Sequence, residues 1–283
     1  LTISSGGGAV DVNGIIGSTT AIGTLTVNAS GTGTIAIEQI GDGDPASGSL
    51  GATIGNTGTT SVTFDGTQYT MNGATTVTAQ SGDSIIFSGG GATTFTTSND
   101  AITFGTGTVQ LSDAADLTIT SANGAVSVAS VGGTTSEDIT INAGTGTLAV
   151  GAIGNADEIN TVTLTGSTIT LSGDITTSNA ANNNVDINGA VVISGAVDID
   201  TDTAGTDGTI DFSSTIVGDA NNATTDNLTI DSGGSTVTFN GTIGVAAPIA
   251  GFNVNQDGGN VALTIPQLGT ASGNAGTSGV TLI

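Results

Sequence analysis

Three aspartates, Asp198, Asp200 and Asp202, alternate with apolar and hydroxyl residues in the stretch VDIDTDTAGTDGTID, and Asp207 and Asp211 follow within it. On a strand, residues i, i+2 and i+4 share one face at about 7 Å per step, so this spacing predicts three carboxylates in a row. Such a row repels itself unless a cation sits among its oxygens. Calcium, which takes six to eight oxygen ligands, is the metal that fits. Asp198, Asp200, Asp202, Asp207 and Asp211 are therefore the candidate metal ligands, and Ca2+ is the cofactor they suggest; the alternative is a solvated acidic face. The stretch is not an EF-hand loop. Counted from Asp198, the sixth position is Thr203 where Gly is required, and the twelfth is Thr209 where Glu is required. Asp42 and Asp44, in GDGDP, fit a turn before Pro45.

The residues that are missing exclude most other chemistry. The 283-residue chain contains no Lys, Arg, His, Cys or Trp, and its 24 carboxylates give a net charge of −24. Without His or Cys there is no zinc, haem or iron–sulfur ligand set and no disulfide. Ser-His-Asp and Cys-His catalysis are closed to it. Without a cation there is no phosphate clamp and no attraction to nucleic acid or anionic lipid. Polysaccharide lyase chemistry lacks its basic residue, and no carboxylates gather in a marked site, so no enzyme activity is expected. No apolar run approaches the ~18 residues of a membrane span. The lack of Cys fits a secreted or surface protein independent of redox state, and Leu1 in place of Met reads as a processed product or a segment of something longer.

The element that must position these residues is a repeat. One phrase recurs at Leu1–Gly17, Leu25–Gly41, Leu117–Gly133, Ile139–Asn155 and Leu228–Gly244: a short β-branched strand, a Gly/Ser/Asn corner, a second alternating strand, and an Ile/Val–Gly close. Looser copies start at Ser61, Ser84, Ala101, Thr161, Val185 and Gly208, mostly 16 to 24 residues apart. Gly at every sixth position or so, with β-branched residues throughout, excludes helix. Strands alternate: in Thr161–Thr165, Val162 and Leu164 point one way and the threonines the other. A period near 22 with strands of this kind predicts an all-β parallel β-helix, a β-solenoid of about twelve coils. A string of β-sandwiches is the rival, but a sandwich does not repeat one phrase.

Within that frame, Phe64, Phe87, Phe104, Phe212 and Phe239 each end the phrase [ST/A]-[VI]-x-F and predict an internal ladder. The Asn-Gly pairs at Asn13, Asn72, Asn123, Asn188 and Asn240 are read as corners requiring φ > 0. The T-x-T pairs (Thr24/Thr26, Thr76/Thr78, Thr118/Thr120, Thr161/Thr163/Thr165, Thr236/Thr238) would order water and bind ice if they shared a register, and the sequence shows no common register for them. Residues 1–244 form the solenoid repeats, with a loop or extra half-coil at 41–60. Residues 245–283, carrying Pro248, Pro266 and the glycine-rich run Gly269–Gly279, read as a divergent terminal coil, cap or assembly arm.

The phrases LTVNASGTGTI, ITINAGTGTLAVGAIG and LTIDSGGSTVTFNGTIG resemble the repeats of large bacterial surface adhesins of the filamentous-haemagglutinin and autotransporter type. The resemblance spans residues 1–244 and rests on composition and rhythm. It implies a right-handed β-helical stalk, secretion to the cell surface, and a structural, non-enzymatic role as an extracellular fibre. Two departures stand out: no N-terminal secretion cap, and no Lys or Arg in the repeats. The expected partners are further copies of the chain, stacked head to tail, or the rest of a longer repetitive chain, together with divalent cations. A calcium-dependent adhesin or surface-layer segment that binds a host or polysaccharide is the alternative.

Overall fold

The computed structural model describes residues 1–44, 47–134, 136–154, 158–178, 183–202, 207–219, 225–256, 263–269 and 279–282. Among them there is no helix, and the strands stack in parallel coils as a β-solenoid of about ten turns. The chain divides into two compact units, Leu1–Gly146 and Thr147–Ile283.

Each coil of the first unit lays down up to three strands. The first face stacks Thr2–Ser5, Leu25–Ala29, Ala52–Gly55, Thr75–Thr78, Ile102–Phe104 and the start of Val126–Gly132. The second stacks Val10–Ile16, Thr34–Ile40, Ser61–Phe64, Ser84–Phe87, Thr108–Leu111 and the end of Val126–Gly132. The third stacks Gln68–Met71, Gly91–Thr97, Ala115–Ser121 and Ile139–Asn142. Alternation turns every second side chain inward, so columns of like residues form. Val27, Ile54, Val77, Phe104 and Val128 stack on the first face; Val10, Ile35, Val62, Ile85, Val109 and Val131 on the second. Burying each large aliphatic contributes about 1.5–3 kcal/mol, and nearly all of these are fully buried.

The second unit is built the same way. Its first face stacks the opening halves of Val162–Leu171 and Val185–Ile193, then Ile210–Phe212 and Val237–Phe239. Its second stacks Thr147–Ile153, the closing halves of those two long strands, and Ile216–Gly218. Its third stacks Ile175–Thr176, Ala196–Asp200, Asn227–Asp231, Gly251–Asn255 and Gly279–Leu282.

Three expectations change. The count of twelve coils becomes about ten, because one coil can hold the phrase twice: the copies at Ala101 and Leu117 are the first and third faces of a single turn. The interval 41–60, expected as a loop or extra half-coil, contains the strand Ala52–Gly55, which stacks on Leu25–Ala29 and starts the next coil. The phenylalanines form two ladders rather than one: Phe64 pairs with Phe87 and Phe212 with Phe239, while Phe104 approaches Phe87 from another face at 6.0 Å. The Asn-Gly glycines Gly73, Gly124, Gly189 and Gly241 do not have positive φ. They are glycine because coils touch there: a Cβ would lie 1.6 Å from Leu50 O at Gly73 and 2.0 Å from Gly166 O at Gly189. Of the run 269–279, all but the two ends lies outside the described residues.

Candidate functional site

The strand Ala196–Asp200 is formed by alternation: Val197 and Ile199 are buried, and Asp198 and Asp200 face outward. It stacks between Ile175–Thr176 and Asn227–Asp231, which sets Asp200 beside Asp231 and, one coil further, Asp231 beside Asn255. Asp174 Oδ1 accepts the Asp198 N–H at 2.9 Å. Four carboxylates, those of Asp174, Asp198, Asp200 and Asp231, thus share one patch. Burial first, then Asp200, Asp174 and Asp231, pushes the Asp198 carboxyl up to about 6 from 3.8. Burial and then Asp211 raise Asp186 in the same direction.

Asp202 does not continue the row. The strand ends at Asp200, whose Oδ1 accepts the Asp202 N–H at 2.9 Å and turns the chain. Thr201 goes inward and donates its hydroxyl to Gly208 O at 2.8 Å. Asp202 instead meets Asp207 at Gly233, where a Cβ would lie 2.9 Å from the Asp202 carboxyl carbon and 2.7 Å from that of Asp207. Backbone N–H groups already occupy this cluster: Gly234 N–H donates to Asp207 Oδ2 at 2.6 Å and Gly233 N–H to Asp231 Oδ1 at 3.3 Å. Asn255 Nδ2 donates to Asp231 Oδ2 at 2.9 Å. Asp211 stands apart, on the strand Ile210–Phe212, in register with Asp186 and Thr238 and accepting Asn240 Nδ2 at 3.0 Å. Among the described residues, no three His, Cys, Asp or Glu are grouped so as to hold a metal ion.

Asp174 and Asp231 were not singled out from the sequence. The signal that finds Asp231 is the phrase itself, since LTID at Leu228 overlays VDID at Val197. Asp42 fits the turn reading: its Oδ1 accepts the Asp44 N–H at 3.1 Å, and its bond with Ser47 leads the effects that hold its carboxyl below the usual value. Glu137, fully buried, closes its own loop by accepting Thr134 N–H at 2.8 Å and Thr134 Oγ at 2.6 Å.

Stability should therefore rise on mild acidification. A folded carboxyl at about 6 against 3.8 means that the native state holds more protons than the unfolded one between those values. The sign follows: stability grows as pH falls from 7 towards 4. Asp198 is only partly withdrawn from solvent, so screening reduces the gain to the order of 1 kcal/mol, or ~2–4 °C in Tm. Melting curves at pH 7 and 4.5 check this, and Asp198→Asn should lose most of the gain.

The first unit also carries outward threonines in register, which the sequence reading did not find. Thr2, Thr26, Thr53, Thr76 and Thr103 form one column, continued by Ser127. On the third face Thr94/Thr96 stack on Thr118/Thr120 and these on Thr140/Asn142. Coils repeat every ~4.8 Å and the paired hydroxyls stand ~7 Å apart along each strand. A shallow cleft floored by Gln68 and Thr70 lies beside this array, and no residue lining it ionises. Among the described residues no helix is long and apolar enough to cross a membrane. Compared with protein-family models, with curated proteins and with solved structures, the chain matches none at a significant level.

Proposed function

We propose that the chain is a structural, non-enzymatic segment of an extracellular fibre, of the surface-adhesin stalk type that its repeats resemble, and that it extends by end-to-end stacking of coils. The observation that carries this reading is the repetition of one coil in parallel register through the first unit. Thr2–Ser5 and Val10–Ile16 pair with Leu25–Ala29 and Thr34–Ile40 in the same parallel ladders that join the later coils. A stack of parallel coils extends along its axis by adding strands to an end edge, and a head-to-tail contact of this kind grows filaments rather than closed rings. A second copy of the chain is the partner, and shared negative charge opposes side-by-side packing unless divalent cations bridge it.

The threonine columns favour a second reading, in which those faces order water against ice. One experiment separates the two. Electron microscopy over a concentration series should show filaments that Ile3→Asp abolishes. Discrete particles at all concentrations, with ice-growth inhibition that Thr118→Lys removes, replace the fibre reading with the second.

A further inference from the structure

Asp226 is fully buried in a chain that contains no Lys, Arg or His. Its Oδ1 accepts the Gly195 N–H at 2.9 Å, and its backbone carbonyl accepts the Ala250 N–H at 2.7 Å. Its Oδ2 is buried and has no hydrogen-bond partner among the described residues. A buried carboxylate oxygen left without a donor is among the costliest arrangements a fold can hold.

A missing side chain defines where that oxygen sits. On the second face of the second unit the inward positions run Val150, Leu171, Ile193 and then Gly218. A Cβ at Gly218 would lie 2.2 Å from the Pro248 carbonyl oxygen and 3.0 Å from Asp226 Oδ2. Two oxygens therefore converge on the space where the aliphatic column would place its next side chain, and glycine makes the room. The Gly218 N–H donates to Ala247 O at 3.3 Å, which holds the Ala247–Pro248 segment against this position.

We infer that Asp226 Oδ2 and the Pro248 carbonyl bind a hard, oxygen-seeking cation beside Gly218. Carboxylate and backbone carbonyl are the ligands that sodium and calcium accept, with water completing the shell from the half-exposed Pro248 side. No imidazole or thiolate exists in the chain to select a softer metal. The site shares no residue with the Asp198–Asp211 stretch, and it does not depend on the fibre reading.

The test uses the intact chain, stripped with chelator and held in tetramethylammonium chloride at constant ionic strength. Sodium or calcium chloride then replaces that salt, and Tm is followed for the native chain and for Asp226→Asn, which keeps an acceptor for Gly195 and removes the charge. The native Tm should rise by about 5 °C at a hundredfold excess over Kd, with the more effective salt identifying the ion, while Asp226→Asn stays flat. Equal shifts in both proteins, or no shift in the native chain, overturn the inference. Should Asp226→Asn fail to fold, elemental analysis of the native chain after gel filtration decides: one retained sodium or calcium per chain supports the site, and none refutes it.

Discussion

Replacing Phe87 with Ala should lower the unfolding free energy by about 3–5 kcal/mol, the largest loss expected of any single side chain in the first unit. Phe87 is fully buried and lies at the meeting of three faces. It stacks on Phe64, one coil earlier, at 4.9 Å and 18°. It meets Tyr69 and Phe95 of the third face edge-on at 6.1 Å each, and Phe104 of the next coil at 6.0 Å. Removing it opens a void that the remaining rings cannot close, since each is held by the register of its own strand. In a solenoid each coil contacts chiefly its neighbours, so the damage should also divide the cooperativity of the first unit. Urea unfolding gives both quantities, and a loss below about 1 kcal/mol would mean that the aromatic cluster repacks freely.

Gly55→Ala should be more damaging than its appearance suggests, and Gly31→Ala much less so. The two glycines have nearly the same backbone, with φ of +74° and +72°. Both substitutions therefore carry the ~1–2 kcal/mol of a left-handed L-residue. They differ in what lies across the coil boundary. A Cβ at Gly31 meets nothing within 4 Å, whereas at Gly55 it would lie 2.1 Å from Thr78 O and 3.0 Å from Val62 Cγ2. Thr78 O belongs to the backbone of the next coil and cannot rotate away. Gly55→Ala should cost more than about 3 kcal/mol and reduce soluble yield. Equal losses for the two variants would show that inter-coil contact is not what fixes glycine here.

The parts of this structure that were legible in the sequence are those set by alternation. Val162 and Leu164 are buried and Thr163 is turned outward because a strand has period two, and the same rule exposes Asp198 and Asp200 around Val197 and Ile199. What failed was anything that depends on which face of the coil a phrase occupies. The phrase at Leu25 lies on the first face and that at Leu117 on the third, yet the two look alike because both faces ask for a strand with one apolar side. The threonine register was missed for that reason. Thr53 and Thr76 align only once Ala52–Gly55 is recognised as a coil's first strand. Asp202 failed differently: the strand ends at Asp200 through a side-chain bond to the backbone, and no periodic pattern announces that stop. Asp226, which the sequence gives no reason to notice, becomes visible only through the glycine that faces it.

The glycines at coil boundaries change what counts as a neighbour for mutation. Gly73 is constrained by Leu50, Gly48 by Thr70, Gly154 by Thr176 and Gly189 by Gly166, each across one turn of the solenoid rather than along the chain. Each contact is with a backbone carbonyl, which no substitution one coil away removes, so these glycines and the turns they face should persist as linked pairs spaced by the repeat. Duplicating or deleting a whole coil keeps every such pair intact, whereas shifting a boundary by a few residues breaks several at once. Length should therefore vary by whole turns more readily than the composition of any one turn.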